Sequence, residues 1–188
     1  VTRRAHFDVA IIGAGVLGNA IAARLAQTTA SVCVIEAAAD VGEGASKGNA
    51  GVAMSYYAAP GTLEASLIDS SYRRWEEVSR RLDVPYRRVG ALMVAVDDEE
   101  RDQLVDVARE VEGCGVRGEL ISGKEAIARE PLVSDQCRAA LWLPDEGVID
   151  PMRLTVAYAE LAVRNGATYH LASPVTGFES NEERLEAV

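Results

Sequence analysis

Six residues, Gly13-Ala14-Gly15-Val16-Leu17-Gly18, limit what this chain can fold into more than any other feature. A GxGxxG pattern alone is weak, but here its surroundings give it context. Phe7 to Ile12 (FDVAII) is a short apolar run rich in branched residues, as expected of a parallel strand buried on both faces. Val16, Leu17, Ala20, Ile21 and Leu25 then recur at helical spacing, which predicts a helix to about Gln27 with this stripe as its apolar face. Ser31 to Ile35 predicts a second buried strand, ending at Glu36. Strand, helix and strand make one βαβ unit. Glu36 stands 23 residues past Gly13, against the roughly 20 expected of an acid that meets a ribose.

Each position has a physical reason. Gly13 permits the tight turn out of the strand, Gly15 leaves room for a pyrophosphate, and Gly18 lets the helix pack close to the sheet. The free N–H groups at the helix start, at Val16 and Leu17, and the positive end of its dipole suit phosphate. Glu36 suits ribose hydroxyls, and its charge repels a 2′-phosphate, which argues against NADP. The motif does not separate NAD from FAD. The small polar stretch Gly44-Ala45-Ser46-Lys47-Gly48-Asn49-Ala50-Gly51 follows shortly after, inside a long Gly/Ala/Ser-rich segment from Asp40 to Pro60. A segment of that kind is usually functional, and this one is suited to bring backbone amides to a cofactor.

Further along, Leu67, Ile68, Tyr72, Trp75, Val78 and Leu82 predict one amphipathic helix from about Thr62 to Leu82. Two strands follow, VPYRRV and ALMVAV, with a turn at Gly90. Asp97 to Glu100 open a helix that ends near Gly113, four acids at the positive end of its dipole. Glu119 to Ile121 is a short strand, and Ser122 with Glu125 forms a capping box for a brief helix stopped by Pro131. Arg138 to Leu143 is a strand. Asp150-Pro151 starts a helix that turns Leu154, Ala157, Tyr158, Leu161 and Ala162 inward and stops at Asn165-Gly166. Ala167 to Leu171 and Pro174 to Phe178 read as strands, Glu179 to Arg184 as a polar turn, and Leu185 to Val188 as the start of another strand. The fold class is α/β, a Rossmann-like FAD/NAD(P)-binding βαβ fold with part of an α+β substrate domain, incomplete over this length. The expected division is 1–82 for cofactor binding, 83–145 for part of a substrate domain, and 146–188 for a return to the first domain.

Composition excludes several functions. The formal net charge of -10 argues against nonspecific nucleic-acid binding. Cys33, Cys114 and Cys137 are odd in number and widely spaced, so neither a disulfide framework nor a metal site is expected, and a reducing cytoplasm fits. No apolar run reaches the ~18 residues of a membrane-spanning helix, which leaves peripheral membrane contact open. Arg3 and Arg4 before an apolar run faintly imitate an export signal, but Asp8 interrupts it and a strand is expected instead.

The sequence resembles the FAD-dependent oxidoreductases of the D-amino-acid-oxidase and glycerol-3-phosphate dehydrogenase superfamily, over nearly its whole length. DVAIIGAGVLGNAIAARLA is similar to the flavin-binding start of that group. ASKGNAGVA followed by APGTLEASL, VPYRRVGALMVAVDDEE, and EGVIDPMRLTVAYAELAVRNGA with SPVTGFE are similar to its glycerol-3-phosphate dehydrogenase and 2-hydroxyglutarate oxidase branches. The resemblance implies FAD as cofactor. It places Gly13, Gly15 and Gly18 at the pyrophosphate, Glu36 at the adenosine ribose, Ser46 and Asn49 along the pyrophosphate and flavin side, and Val175 at adenine through its backbone. Val52 to Tyr57 lacks the histidine that relatives often carry there, which argues against a covalent link to flavin at that loop. Family members are also roughly twice this long.

The expected activity is hydride transfer to flavin from a small hydroxy acid, polyol phosphate or amino acid, with the glycerol-3-phosphate branch favoured by IDPMRLT. The alternatives are a truncated or split subunit that binds cofactor only with a partner or a missing C-terminal half, and an NAD-binding domain. No catalytic set emerges. His6 and His170 read as structural, Trp75 and Trp142 as core aromatics, Arg87 and Arg88 as an exposed strand face, and Tyr56, Tyr57 and Lys47 as open between cavity lining and packing or solvent.

Overall fold

A computed structural model of the chain describes residues 5–181 and 185–188. Its elements run, in order, β1 (Val9–Ile12), α1 (Val16–Leu25), β2 (Val32–Ile35), β3 (Val52–Ala53), α2 (Leu63–Tyr72), α3 (Trp75–Leu82), β4 (Tyr86–Arg88) and β5 (Ala91–Ala95). Next come α4 (Asp98–Gly113), β6 (Glu119–Ser122), α5 (Gly123–Arg129), β7 (Ala139–Leu143), β8 (Gly147–Ile149), α6 (Pro151–Arg164), β9 (Thr168–His170), β10 (Glu179–Ser180) and β11 (Leu185–Ala187). The chain divides into two compact units. One holds Val1–Ala50, Leu82–Val84 and Asp150–Val188, and the other Gly51–Arg81 and Pro85–Ile149. Residues 51–81, grouped by sequence with the first fifty, lie in the second unit.

In the first unit a parallel sheet runs β1-β2-β9, with Val9 opposite Val32 and Cys33 opposite Thr168. This is the βαβ unit expected from sequence, extended by a second crossover through α6. The two crossover helices pack on each other through small residues: Ala22 and Ala23 of α1 share a core with Ala159 and Ala162 of α6 and with Val32 and Val34. Short side chains let helix backbones approach closely, and the Asn165 amide reaches the Ala23 carbonyl at 3.1 Å. The stripe read from sequence is therefore not the buried face of α1. Leu17 is 77% and Ile21 50% exposed, whereas Asn19, Ala22 and Ala23 are buried. On α6 the buried set is Leu154, Thr155, Ala159 and Ala162. Asp150 caps α6 by accepting from the Arg153 N–H, and Gly166 ends it at φ 102°.

The second unit contains two antiparallel sheets, β3-β8-β4 and β5-β7-β6. The strands expected on either side of Gly90 do form, but in different sheets. Gly90 (φ 74°) redirects the chain, and the N–H groups of Val89 and Gly90 both donate to the Glu146 carbonyl. The Trp142 ring fills the space a side chain at Gly90 would need. The single helix expected from Thr62 to Leu82 is two. Ser70 and Ser71 turn their hydroxyls back onto the Leu67 and Ile68 carbonyls, competing with the backbone ladder, and a tight Arg74 N–H to Ser71 carbonyl bond closes the turn. The helix over Asp98–Gly113 and the Ser122/Glu125 capping box form as read. Pro174 to Phe178 has no ladder partner among the described residues, so the expected strand there is replaced by irregular chain. Arg3 and Arg4, and Glu182 to Arg184 of the expected polar turn, lie outside the described residues.

Candidate cofactor-binding site

The glycine loop joins β1 to α1 inside the first unit. Gly13 sits at φ 99°, a conformation that excludes ordinary side chains. A Cβ on Gly18 would lie 2.0 Å from the Gly13 carbonyl oxygen, so the helix rests directly on the loop backbone. Gly15 is different in kind: its φ of -73° suits any residue. The nearest atom to a Cβ there is the Ser46 hydroxyl, at 3.1 Å. Gly13 and Gly18 are thus required by folding, and Gly15 keeps the space before the helix clear.

As N-cap, Gly15 has no side chain to offer the open N–H groups of α1. Ser46 supplies one from the distant small-residue loop, its hydroxyl accepting from the Val16 N–H at 2.9 Å. The structure thereby brings Ser46 and the glycine loop together. Asn49 closes the same loop, donating to the Ala45 and Ser46 carbonyls at 3.1 and 2.9 Å. The Leu17 side chain points to solvent, so any part it plays in binding belongs to its backbone. Val175 is half-buried in irregular chain.

Glu36 ends β2 and binds the loop as well. One carboxylate oxygen accepts from Ala14 N–H at 2.7 Å and the other from Ala38 N–H at 2.8 Å. The Ala38 and then the Ala14 N–H groups hold its carboxyl below the usual range, so it is an anion at neutral pH. Each carboxylate oxygen has two lone-pair sites, so acceptor capacity is left for a ribose hydroxyl. A clear helix start, a close helix–loop contact and an ionised acceptor at the end of the neighbouring strand fit the ADP half of a dinucleotide.

Sequence reasoning missed Asn19. Its amide donates to the Ala14 carbonyl at 2.9 Å and the Thr155 carbonyl at 3.3 Å, and its oxygen accepts from the Tyr169 hydroxyl at 2.8 Å. The available signal was a lone amide on the helix face that also carries Ala22 and Ala23.

The other candidate side chains make contacts of their own. Tyr56 donates to Glu110 at 2.7 Å, and burial, then that bond, pushes its phenol up to about 12. Tyr57 is 71% exposed. Lys47 pairs with Glu43, and Arg88 with Glu76 and Asp145. Arg87 is exposed. His170 packs edge-on against Phe7, Trp75 stacks on Tyr86, and Trp142 lies under the Arg129 guanidinium. His6 is exposed. Among the described residues no group of three His, Cys, Asp or Glu is placed to hold a metal.

The parallel βαβ sheet with this loop defines a Rossmann-like dinucleotide-binding protein of mixed α/β class. The chain belongs to the family described as DAO, FAD dependent oxidoreductase, whose model matches residues 8–188. It is similar to a glycerol 3-phosphate dehydrogenase of Caloramator mitchellensis, 38% identical over 178 residues, covering 94% of this chain and 37% of that protein. It is also 28% identical over 187 residues to a mitochondrial L-2-hydroxyglutarate dehydrogenase of Nematostella vectensis, covering 95% and 40%. Among solved structures, FAD-bound L-alpha-glycerophosphate oxidase of Mycoplasma pneumoniae superposes with a TM-score of 0.89 at 24% identity, over 96% of this chain and 48% of that one. Glycine oxidase of Geobacillus kaustophilus does so at 0.85 and 25%, over 95% and 50%. The chain thus spans half or less of the length of these relatives. FAD is the cofactor of the family, as the sequence resemblance implied.

Proposed function

We propose that this chain is the cofactor-holding part of an FAD-dependent oxidoreductase that removes a hydride from a small hydroxy acid, polyol phosphate or amino acid, with glycerol-3-phosphate as the favoured type. The observation that carries this reading is the glycine loop clamped between Glu36 and Ser46. When bound, FAD supplies the hydride acceptor. The backbone of Gly13, Gly15, Val16, Leu17 and Gly18 would face the pyrophosphate, Glu36 the ribose, Ser46 and Asn49 the pyrophosphate and flavin side, and the Val175 backbone the adenine. Ser46 already sits on the Val16 N–H, a place where a phosphate oxygen would also be accepted. By function rather than by compact unit, the proposed division assigns 1–82 and 146–188 to cofactor binding and 83–145 to part of a substrate domain.

A second reading rests on the coverage of 37% of the dehydrogenase relative. In it, the chain holds cofactor only together with the polypeptide such relatives carry beyond the matched region, and is not catalytic alone. Among the described residues no helix is long and apolar enough to cross a membrane. Three free cysteines support a cytoplasmic setting.

The test is the visible spectrum of the purified chain before and after adding FAD, repeated with Gly15→Asp. Flavin absorption that stays with the chain and disappears in Gly15→Asp supports the first reading. A folded parent chain that takes up no flavin discards the first reading for this chain alone, leaving the second.

A further inference from the structure

The amide of Asn19 lies at zero exposure beside a core whose buried residues are mainly alanine and valine. A buried polar group is costly unless satisfied, and this one is: its two N–H groups donate to the Ala14 and Thr155 carbonyls and its oxygen accepts from the Tyr169 hydroxyl. For stability alone an alanine, like its neighbours Ala22 and Ala23, would fill this face without that demand. The reason for an amide here lies in what it holds. The Ala14 carbonyl accepts from Asn19 and, at 3.0 Å, from the Gly42 N–H. Because the Ala14–Gly15 peptide is planar and trans, a carbonyl drawn into the core turns the Gly15 N–H the opposite way, outward before the start of α1. Glu36 fixes the other side of Ala14 through its N–H.

The geometry points to Asn19 as a positioning residue for cofactor binding: by anchoring the Ala14 carbonyl, it aims the Gly15 N–H at the pyrophosphate. This rests on the proposed FAD site. Tyr169 and Thr155 orient the Asn19 amide, and the Tyr169 hydroxyl donates to Asn19 rather than to the Ala14 carbonyl. Removing the Tyr169 hydroxyl therefore weakens the core without releasing the loop.

The test uses the full 15N-labelled chain and residual dipolar couplings of the Gly15 N–H, which report its direction without any ligand. Asn19→Ala and the bulkier Asn19→Leu are compared with Tyr169→Phe and with Val34→Ala, a cavity in the same core. FAD affinity is titrated on the same samples. The expected result is a turned Gly15 N–H in either Asn19 variant and an unchanged one in Tyr169→Phe and Val34→Ala. Flavin affinity should fall about tenfold in the Asn19 variants only, comparable to one well-placed hydrogen bond. An unmoved Gly15 N–H in the Asn19 variants overturns the inference, as does an equal change in Val34→Ala, which would mark general loosening. Unchanged affinity beside an FAD-binding parent also overturns it. If the parent takes no FAD but the N–H turns as expected, the first reading of this chain alone fails, and what stands is that Asn19 orients the Gly15 N–H.

Discussion

Gly18 and Gly15 belong to one motif, yet the structure assigns them different costs. Alanine in place of glycine inside a helix gains about 1 kcal/mol of propensity. At Gly18 the added Cβ would lie 2.0 Å from the Gly13 carbonyl oxygen, 3.2 Å from its carbon and 3.4 Å from the Ile11 side chain. Ordinary carbon–oxygen approach is about 3.3 Å, so α1 and the loop must separate by roughly 1.3 Å. The obstacle is backbone, which cannot swing aside as a side-chain end can. The separation also loosens Asn19, Ala22 and Ala23 against their partners. Overpacking of this kind costs about 1–3 kcal/mol, and the loosened core adds to it, so a net loss of about 2 kcal/mol is expected after the helix gain. For a chain of this size that lowers the thermal midpoint by about 4–8 °C, read by far-ultraviolet circular dichroism. At Gly15 the backbone accepts alanine, and only the Ser46 hydroxyl must yield, so Gly15→Ala should change stability by no more than about 0.5 kcal/mol while weakening flavin binding. A Gly18→Ala chain as stable as the parent would refute the close-packing argument. A Gly15→Ala chain that unfolds as early as Gly18→Ala would refute the division of labour.

Two further outcomes follow from other parts of the fold. A Cβ at Gly90 would meet the Trp142 ring at 1.9 Å, and the position has φ 74°, so Gly90→Ala should cost at least about 2 kcal/mol, measured by urea unfolding with tryptophan fluorescence; a midpoint equal to the parent's would contradict that packing. The Glu36 carboxyl is held low by the Ala38 and Ala14 N–H groups, and the Asp145 carboxyl by the Arg117 guanidinium. A depressed folded value means stability is present above the unfolded carboxylate range and lost as pH falls through the folded value. The thermal midpoint should therefore drop between about pH 5 and pH 3, and Glu36→Gln should flatten part of that drop; identical acid profiles for the two chains would exclude Glu36 as a contributor.

The strand–loop–helix–strand unit was legible in the sequence because each part is local. FDVAII and SVCVI are continuous apolar runs, the glycines fall at the turn and the close contact, and Glu36 falls at a strand end. Caps were legible for the same reason, since Ser122 with Glu125 and Asp150 with Pro151 act within four residues. Two strands of the second unit were not. The strands Val52–Ala53 and Gly147–Ile149 are two and three residues long, too short to show a period, and they form by pairing with each other and, for Gly147–Ile149, with Tyr86–Arg88. The break after Tyr72 was hidden because Ser70 and Ser71 interrupt the helix through hydroxyl bonds that a hydropathy pattern does not register.

The sequence by itself determined the βαβ class, because glycines and a strand-end acid state their backbone requirements at fixed spacing, and its resemblance to FAD-dependent oxidoreductases named the cofactor and the residues proposed to border its ADP half. Only the tertiary structure decided which face of the first helix is buried. Leu17 and Ile21 carry the hydrophobic signal, but α1 lies too close to the sheet and to α6 for large side chains, so the small residues and Asn19 turn inward. It alone also placed Ser46 on the Val16 N–H and Asn19 on the Ala14 carbonyl, contacts set by how the distant loop folds back and how closely the helix rests on its own loop.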